Sequence, residues 1–200
     1  MARALSKKPY KAPGNDLAEP FNTLTYEQYV GIKTRPSGNV WADANTGFVI
    51  EPLHRGFLFA APVEVNLVEG GIVRRLGYDA ANFDFPNLKL GTPGDIGFSG
   101  FRVLQAQPGL EPMEAAIFQG ASFFRAEARG QNLGTMARGL AIRTAEPRGE
   151  EFPVFRAVWI EKPTLAANAL VIHALLDSDS VPGAYRFTLR PGDATIVDTE

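Results

Sequence analysis

Carboxylates, arginines and two histidines carry the reactive chemistry of this chain, and cysteine is absent. Without cysteine, a thiolate nucleophile, a disulfide framework and a Cys-ligated zinc are excluded. Three acidic groups stand out by spacing: Glu150-Glu151, Asp177-x-Asp179, and Asp84 within Asn-Phe-Asp-Phe. Two carboxylates flanking a glycosidic bond can act as acid and base. Neighbouring residues on a strand point to opposite faces, so Glu150 and Glu151 are not expected to form a catalytic pair. One is expected to bind Arg148 or Arg156 and the other to face solvent. His54 and His173 lie far apart without a partner at helical spacing. They read as structural or surface residues, and no metal site is implied. Gly91-x-x-Gly94-x-x-Gly97 sits in a Pro-containing loop ahead of a strand, not a helix, and makes a poor phosphate cradle. Gly97-Phe98-Ser99-Gly100 misses the nucleophile-elbow spacing.

Arginines and aromatics interleave in the middle of the chain, at Phe101-Arg102, Phe123-Phe124-Arg125, Met136-Ala137-Arg138 and Phe155-Arg156 near Trp159. Aromatic rings stack on the apolar faces of sugar rings, and guanidinium forks donate to hydroxyls. A groove of such residues suits an oligosaccharide. For Phe101, Phe155 and Trp159 a place in the core is expected.

The elements that must position these residues read as strands. Segments 47–59, 63–68, 98–104, 114–128, 154–161, 168–176 and 184–190 are rich in Val, Ile and aromatics. The last alternates cleanly, with Tyr185, Phe187 and Leu189 on one face and Arg186, Thr188 and Arg190 on the other. The stretch 114–128 is read as one strand bent or bulged at Gly120. Gly and Pro signals such as Gly70-Gly71, Pro108-Gly109 and Pro182-Gly183 separate the segments. The chain has 20 glycines and 15 prolines in 200 residues, above the roughly 12% those two types usually contribute. Many short strands with this punctuation predict an all-β, antiparallel sandwich or barrel. Thr25-Tyr26-Glu27-Gln28 fits a capping box and opens a short helix over 25–31. Residues 1–20 lack periodicity and read as an extended arm. A net charge of −2 gives no broad basic surface for nucleic acid, and no run reaches the ~20 apolar residues of a membrane helix.

The segment GASFFRAEARGQNLGTMARGLAIRTAEPRGEEFP at 120–153 and LLDSDSVPGAYRFTLRPG at 175–192 resemble the periplasmic osmoregulated glucan biosynthesis proteins of the MdoG/OpgG and OpgD type. KKPYKAP at 7–13, LTYEQY at 24–29, LHRGFLF at 53–59, DIGFSGFRVL at 95–104 and FRAVWIEKP at 155–163 extend the similarity along the chain. The resemblance implies an exported envelope protein. Its fold would be the N-terminal part, over 21–200, of a large galactose mutarotase-like sandwich whose C-terminal immunoglobulin-like domain is not included. It implies a groove for β-1,2-linked glucan, a full-length relative similar to inverting β-1,2-glucanases, and no cofactor. The family's hydrolytic carboxylates fall later than residue 200, so no catalytic residue is carried over and this chain is expected not to cleave glucan. The alternative is a non-catalytic carbohydrate-binding or structural module that docks to the membrane glucan synthase. A sandwich cut part-way is also expected to self-associate through unpaired strand edges. Positions that match the motif and are expected to line the groove are Phe123, Arg125, Arg138, Glu150, Glu151 and Phe152. Three departures from the family motif remove hydroxyls: Phe123 and Leu133 stand where the family has Tyr, and Met136 where it has Ser.

Overall fold

The computed structural model describes residues 1–200 except 15, 87, 89–93, 108, 132–133 and 166. Leu133 and part of the 91–97 glycine loop therefore lie outside the described residues. Two short helices, α1 (Ala2–Leu5) and α2 (Tyr26–Gly31), precede the strands. The capping box of α2 forms as the sequence predicts: the Gln28 amide donates to the Thr25 hydroxyl, and the Thr25 amide to the Gln28 side chain. Ahead of it, α1 puts one helical turn into the segment read as fully extended.

Thirteen strands follow among the described residues: β1 (Lys33–Thr34), β2 (Phe48–His54), β3 (Glu64–Glu69), β4 (Ile72–Arg75), β5 (Phe83–Asp84), β6 (Phe98–Gln107), β7 (Leu110–Gln119), β8 (Phe123–Ala126), β9 (Thr135–Arg138), β10 (Val154–Glu161), β11 (Leu170–Asp177), β12 (Gly183–Arg190) and β13 (Ile196–Thr199). They form a five-stranded sheet, β2-β6-β7-β8-β9, a six-stranded sheet, β13-β12-β11-β10-β3-β4, and the small pair β1-β5. The fold is the expected all-β sandwich. One pairing departs from the antiparallel expectation, because β3 runs parallel to β10.

The core lies between the two large sheets. Phe101, Phe118 and Phe124 come from neighbouring strands β6, β7 and β8 and stack with centroids 5.1 and 5.3 Å apart. Phe187 of β12 meets Phe118 and Phe124 edge-on from the opposite sheet. Tilted and offset ring pairs of this kind add to the burial of apolar area. Phe155 is buried here as well, whereas Trp159 stays half-exposed outside the core. It lies on the opposite face of β10 from the buried Val158 and Ile160.

Segment 114–128 is not one bent strand. Gly120 and Ala121 both take positive φ, and the chain folds back there as the β7–β8 hairpin. Segment 47–59 likewise stops early, at His54. Arg55 then leaves the sheet and turns inward, where its guanidinium donates to the carbonyls of Ala60 and Ile96 and pairs with Asp16. That clasp holds the N-terminal segment beside the β2–β3 loop. Leu17, Phe21 and Leu24 form a small second cluster nearby.

Candidate functional site

Along β2, β6, β7, β8 and β9 every second residue faces away from the core, and these residues meet in cross-strand rows. Arg102 lies opposite Glu51 and Ile117, Ile117 opposite Arg125, and Arg125 opposite Met136. One register step away, Phe123 lies opposite Arg138. The inward partners on the same strands are the core residues Phe101, Phe118 and Phe124. Period-two alternation thus puts a polar, aromatic-studded face directly behind the aromatic core.

Charge organises this outward face. Arg102 binds Glu51 at 2.7 Å and Glu114 at 2.5 Å, and Arg125 binds Glu114 at 2.5 Å and Glu127 at 3.0 Å. Glu114 therefore bridges two arginines, and five residues form one alternating ladder. At the edge of the sheet Arg138 pairs with Glu150. Its guanidinium also sits over two rings, 5.9 Å from the Phe123 centroid and 6.0 Å from that of Phe152. Phe123 and Phe152 are themselves 6.3 Å apart. Four of the six sequence-predicted positions, Phe123, Arg138, Glu150 and Phe152, are thus in one cluster.

Arg125 lies beside that cluster, lining a cavity of about 380 Å³ with Phe59, Gln119, Phe123 and Met136. A second cavity of about 330 Å³ continues across the same face to Tyr26, Tyr29 and Glu51, and shares Phe59 and Gln119 with the first. Together they make a shallow groove crossing the sheet. Two of the three hydroxyl-removing departures, Phe123 and Met136, sit on its wall.

Glu151 is set apart. It accepts from the backbone amide of Ser180 at 2.9 Å and its hydroxyl at 2.6 Å, which holds its carboxyl below the usual range. Its partner is thus neither Arg148 nor Arg156. Arg156 instead reaches Asp177 at 3.4 Å and the Lys11 carbonyl. Glu150 and Glu151 lie between β9 and β10 and not on a strand, so strand alternation is not what separates them; the partner of Glu150 is a residue twelve positions away, on the edge strand.

Two residues that sequence reasoning did not single out are central to the groove. Gln119 lies at the junction of the two cavities and donates from its amide nitrogen to the hydroxyls of Tyr29 and Ser99, both at 2.7 Å. Phe59 forms the opposite wall. A Gln ending a strand just before a turn glycine carries no signal of its own. Phe59 falls in segment 47–59, which reads as one strand, whereas β2 ends at His54. His54 ends β2 under the groove. Its ring bonds the Tyr78 hydroxyl at 2.9 Å and packs among Phe21, Phe83 and Phe85. Burial there pushes its pKa down to about 4. His173 lies on the other sheet, paired with Glu161 at 2.7 Å. The two histidines therefore share no site, and among the described residues no group of three metal-ligating side chains is found.

Comparison with known proteins then places the chain. A family model described as "Periplasmic glucan biosynthesis protein, MdoG" matches residues 1–200. Glucans biosynthesis protein G of Rhodopseudomonas palustris is 42% identical over 203 residues, covering all of this chain and 40% of the relative. The protein of the same name from Vibrio cholerae serotype O1 is 46% identical over 205 residues, covering all of this chain and 37% of the relative. One from a Shewanella strain is 44% identical, again over 37% of its length. The chain thus spans about two fifths of these curated relatives.

Proposed function

We propose a function from one premise, that this chain belongs to the periplasmic glucan biosynthesis protein family, MdoG: the outward face of the five-stranded sheet binds β-1,2-linked glucan in the periplasm during glucan biosynthesis. The observation that carries this reading is the Arg138 cluster. Phe123 and Phe152 flank a guanidinium fixed by Glu150 beside the open groove. Phe152 is half-exposed, which leaves ring surface free to stack on a pyranose face. Tyr26, also exposed, offers a second ring at the far end of the groove.

The chain binds without cleaving. Inverting hydrolysis needs two carboxylates about 6.5–9.5 Å apart with a water between them, one of them protonated. Among the described residues of this face, Glu51, Glu114, Glu127 and Glu150 each bind an arginine, and none is left over for that role.

Calorimetric titration with linear β-1,2-glucan tests the binding. Heat of binding that Phe152→Ala reduces by about tenfold in affinity, with the urea midpoint unchanged, supports the reading. No binding to the unaltered chain, or equal binding by the variant, sinks it. New reducing ends released by the chain would contradict the non-cleaving part.

A further inference from the structure

We propose that Gln119 is the residue that reads a glucan hydroxyl in the groove, accepting its proton at a side-chain carbonyl that Tyr29 and Ser99 hold in one orientation. The inference rests on the glucan-binding reading and adds what that reading leaves open, the group that recognises a sugar hydroxyl as a donor.

Gln119 is the last residue of β7 and lines both cavities at their junction. Its amide nitrogen lies 2.7 Å from the Tyr29 hydroxyl and 2.7 Å from the Ser99 hydroxyl. Those hydroxyls share another partner. Ser99 Oγ is 2.7 Å and the Tyr29 oxygen 3.2 Å from the His54 carbonyl. A carbonyl oxygen only accepts, so both hydroxyl protons go to it. Burial pushes the Tyr29 phenol above its ordinary pKa, so it keeps that proton. Both hydroxyl oxygens are then left to accept, and they take the two protons of the Gln119 amide. Turned round, the amide would set its oxygen against two hydroxyl oxygens with no proton between them. The network therefore assigns the orientation, and the side-chain carbonyl is the end left over. That oxygen has no hydrogen-bond partner among the described residues and is not buried away from the groove.

The surroundings of this carbonyl fit a sugar hydroxyl. The charged side chains lining the two cavities are Lys33, Arg102 and Arg125 with Glu51. The three basic groups only donate, and Glu51 already binds Arg102 at 2.7 Å. A sugar hydroxyl both donates and accepts. Its oxygen finds cationic donors here, and its proton finds the Gln119 carbonyl. An ether oxygen can use the first and not the second. Phe59 forms the wall beside Gln119, with its ring close against Gly120. A pyranose stacked on such a ring carries its equatorial hydroxyls at the rim, where a neighbouring side chain can meet them.

Calorimetry with linear β-1,2-glucan tests this on the unaltered chain, Gln119→Met, Tyr29→Phe and the double variant. In Gln119→Met the Tyr29 and Ser99 protons keep the His54 carbonyl, so the urea midpoint is expected to stay close to that of the unaltered chain. Binding is expected to weaken about tenfold in Gln119→Met and about threefold in Tyr29→Phe. The double variant is expected to bind no more weakly than Gln119→Met alone, because Tyr29 acts through Gln119. Heteronuclear NMR gives a readout that needs no variant. The carbon signal of the Gln119 side-chain carbonyl is expected to move on glucan binding while its two amide proton signals stay in place. Undiminished affinity in Gln119→Met, or an unmoved carbonyl signal with glucan bound, overturns the role of Gln119 and leaves glucan binding standing. A loss in the double variant equal to the product of the two single losses overturns the positioning by Tyr29. Failure of the unaltered chain to bind glucan overturns the glucan reading and this inference with it.

Discussion

The outward faces of the two sheets use the same residue types in the same alternation, yet they are built differently. On the five-stranded sheet, arginines and glutamates of adjacent strands share partners, and the ladder from Glu51 to Glu127 crosses four strands. On the six-stranded sheet the pairs are separate: His173 with Glu161, Arg186 with Glu200, Arg190 with Asp198. The Glu114 side chain is 19% exposed and that of Glu161 47%. The six-stranded sheet also has company from the N-terminal segment, since α1 packs on β11 and Arg156 holds the Lys11 carbonyl. The difference shows that the same residue types make two kinds of face. Partners shared across strands and partly withdrawn from water hold side chains in place and leave a shaped, fixed surface.

The comparison breaks most completely at Gly100. A Cβ there would lie 2.0 Å from the Phe118 carbonyl oxygen across the β6–β7 pairing. Gly100→Ala is expected to cost more than about 4 kcal/mol and to abolish the cooperative urea transition. A native-like midpoint would show that the groove sheet tolerates what its geometry forbids.

The two histidines give the next largest contrast. His54 titrates near the ordinary histidine value of 6.5 when unfolded and, desolvated by burial, at about 4 when folded. The unfolded chain therefore binds the proton first as pH falls. The stability His54 contributes is complete above pH 6.5 and is lost progressively down to about 4, by up to about 3 kcal/mol. Urea melts at several pH values should show this slope flattened in His54→Gln and kept in His173→Gln. The same slope in both variants would mean that His54 is not its source.

Glu114→Gln removes the shared partner of Arg102 and Arg125 and should cost about 1–2 kcal/mol, less than a fully buried pair because both guanidiniums are about one-third exposed. Smallest of all, Glu161→Gln should change the urea midpoint by less than about 0.5 kcal/mol. If the two glutamates cost the same, the contrast between the faces has no energetic content.

Much of this fold is legible in the sequence where alternation is strong. Tyr185, Phe187 and Leu189 mark the inward face of β12, and the Thr25–Gln28 box marks α2. Alternation fails where strands are short or exposed on both faces. Gly70-Gly71 is readable as a turn, and both residues take the positive φ of a tight hairpin. The strand after it, Ile72–Arg75, is exposed throughout and shows no apolar period. β9 and β13 are hidden for the same reason, since edge strands bury too little to pattern. At the candidate site, the motif residues pick out the Arg138 cluster. The glutamates of the neighbouring ladder do not announce themselves, because Glu114 and Glu127 meet Arg102 and Arg125 only once the register of three strands is set. Glu151 belongs to the motif for another reason: it ties the segment before β10 to the turn before β12.

The parallel pairing of β3 with β10 has a consequence in time. Asn66 reaches the Val158 carbonyl across that seam from 92 positions away, and the cost of closing so long a loop falls before any contact repays it. Within the five-stranded sheet β6 to β9 follow one another as a meander of neighbours, and only β2 joins from further back in the chain. A chain emerging amino end first can therefore pair β6 to β9 while β3 and β4 still wait for β10. Its inner row of phenylalanines stays bare until β10 to β12 arrive. Folding speed and loss to aggregation should thus be set by that one late seam, and a substitution there would show first in the yield of folded protein.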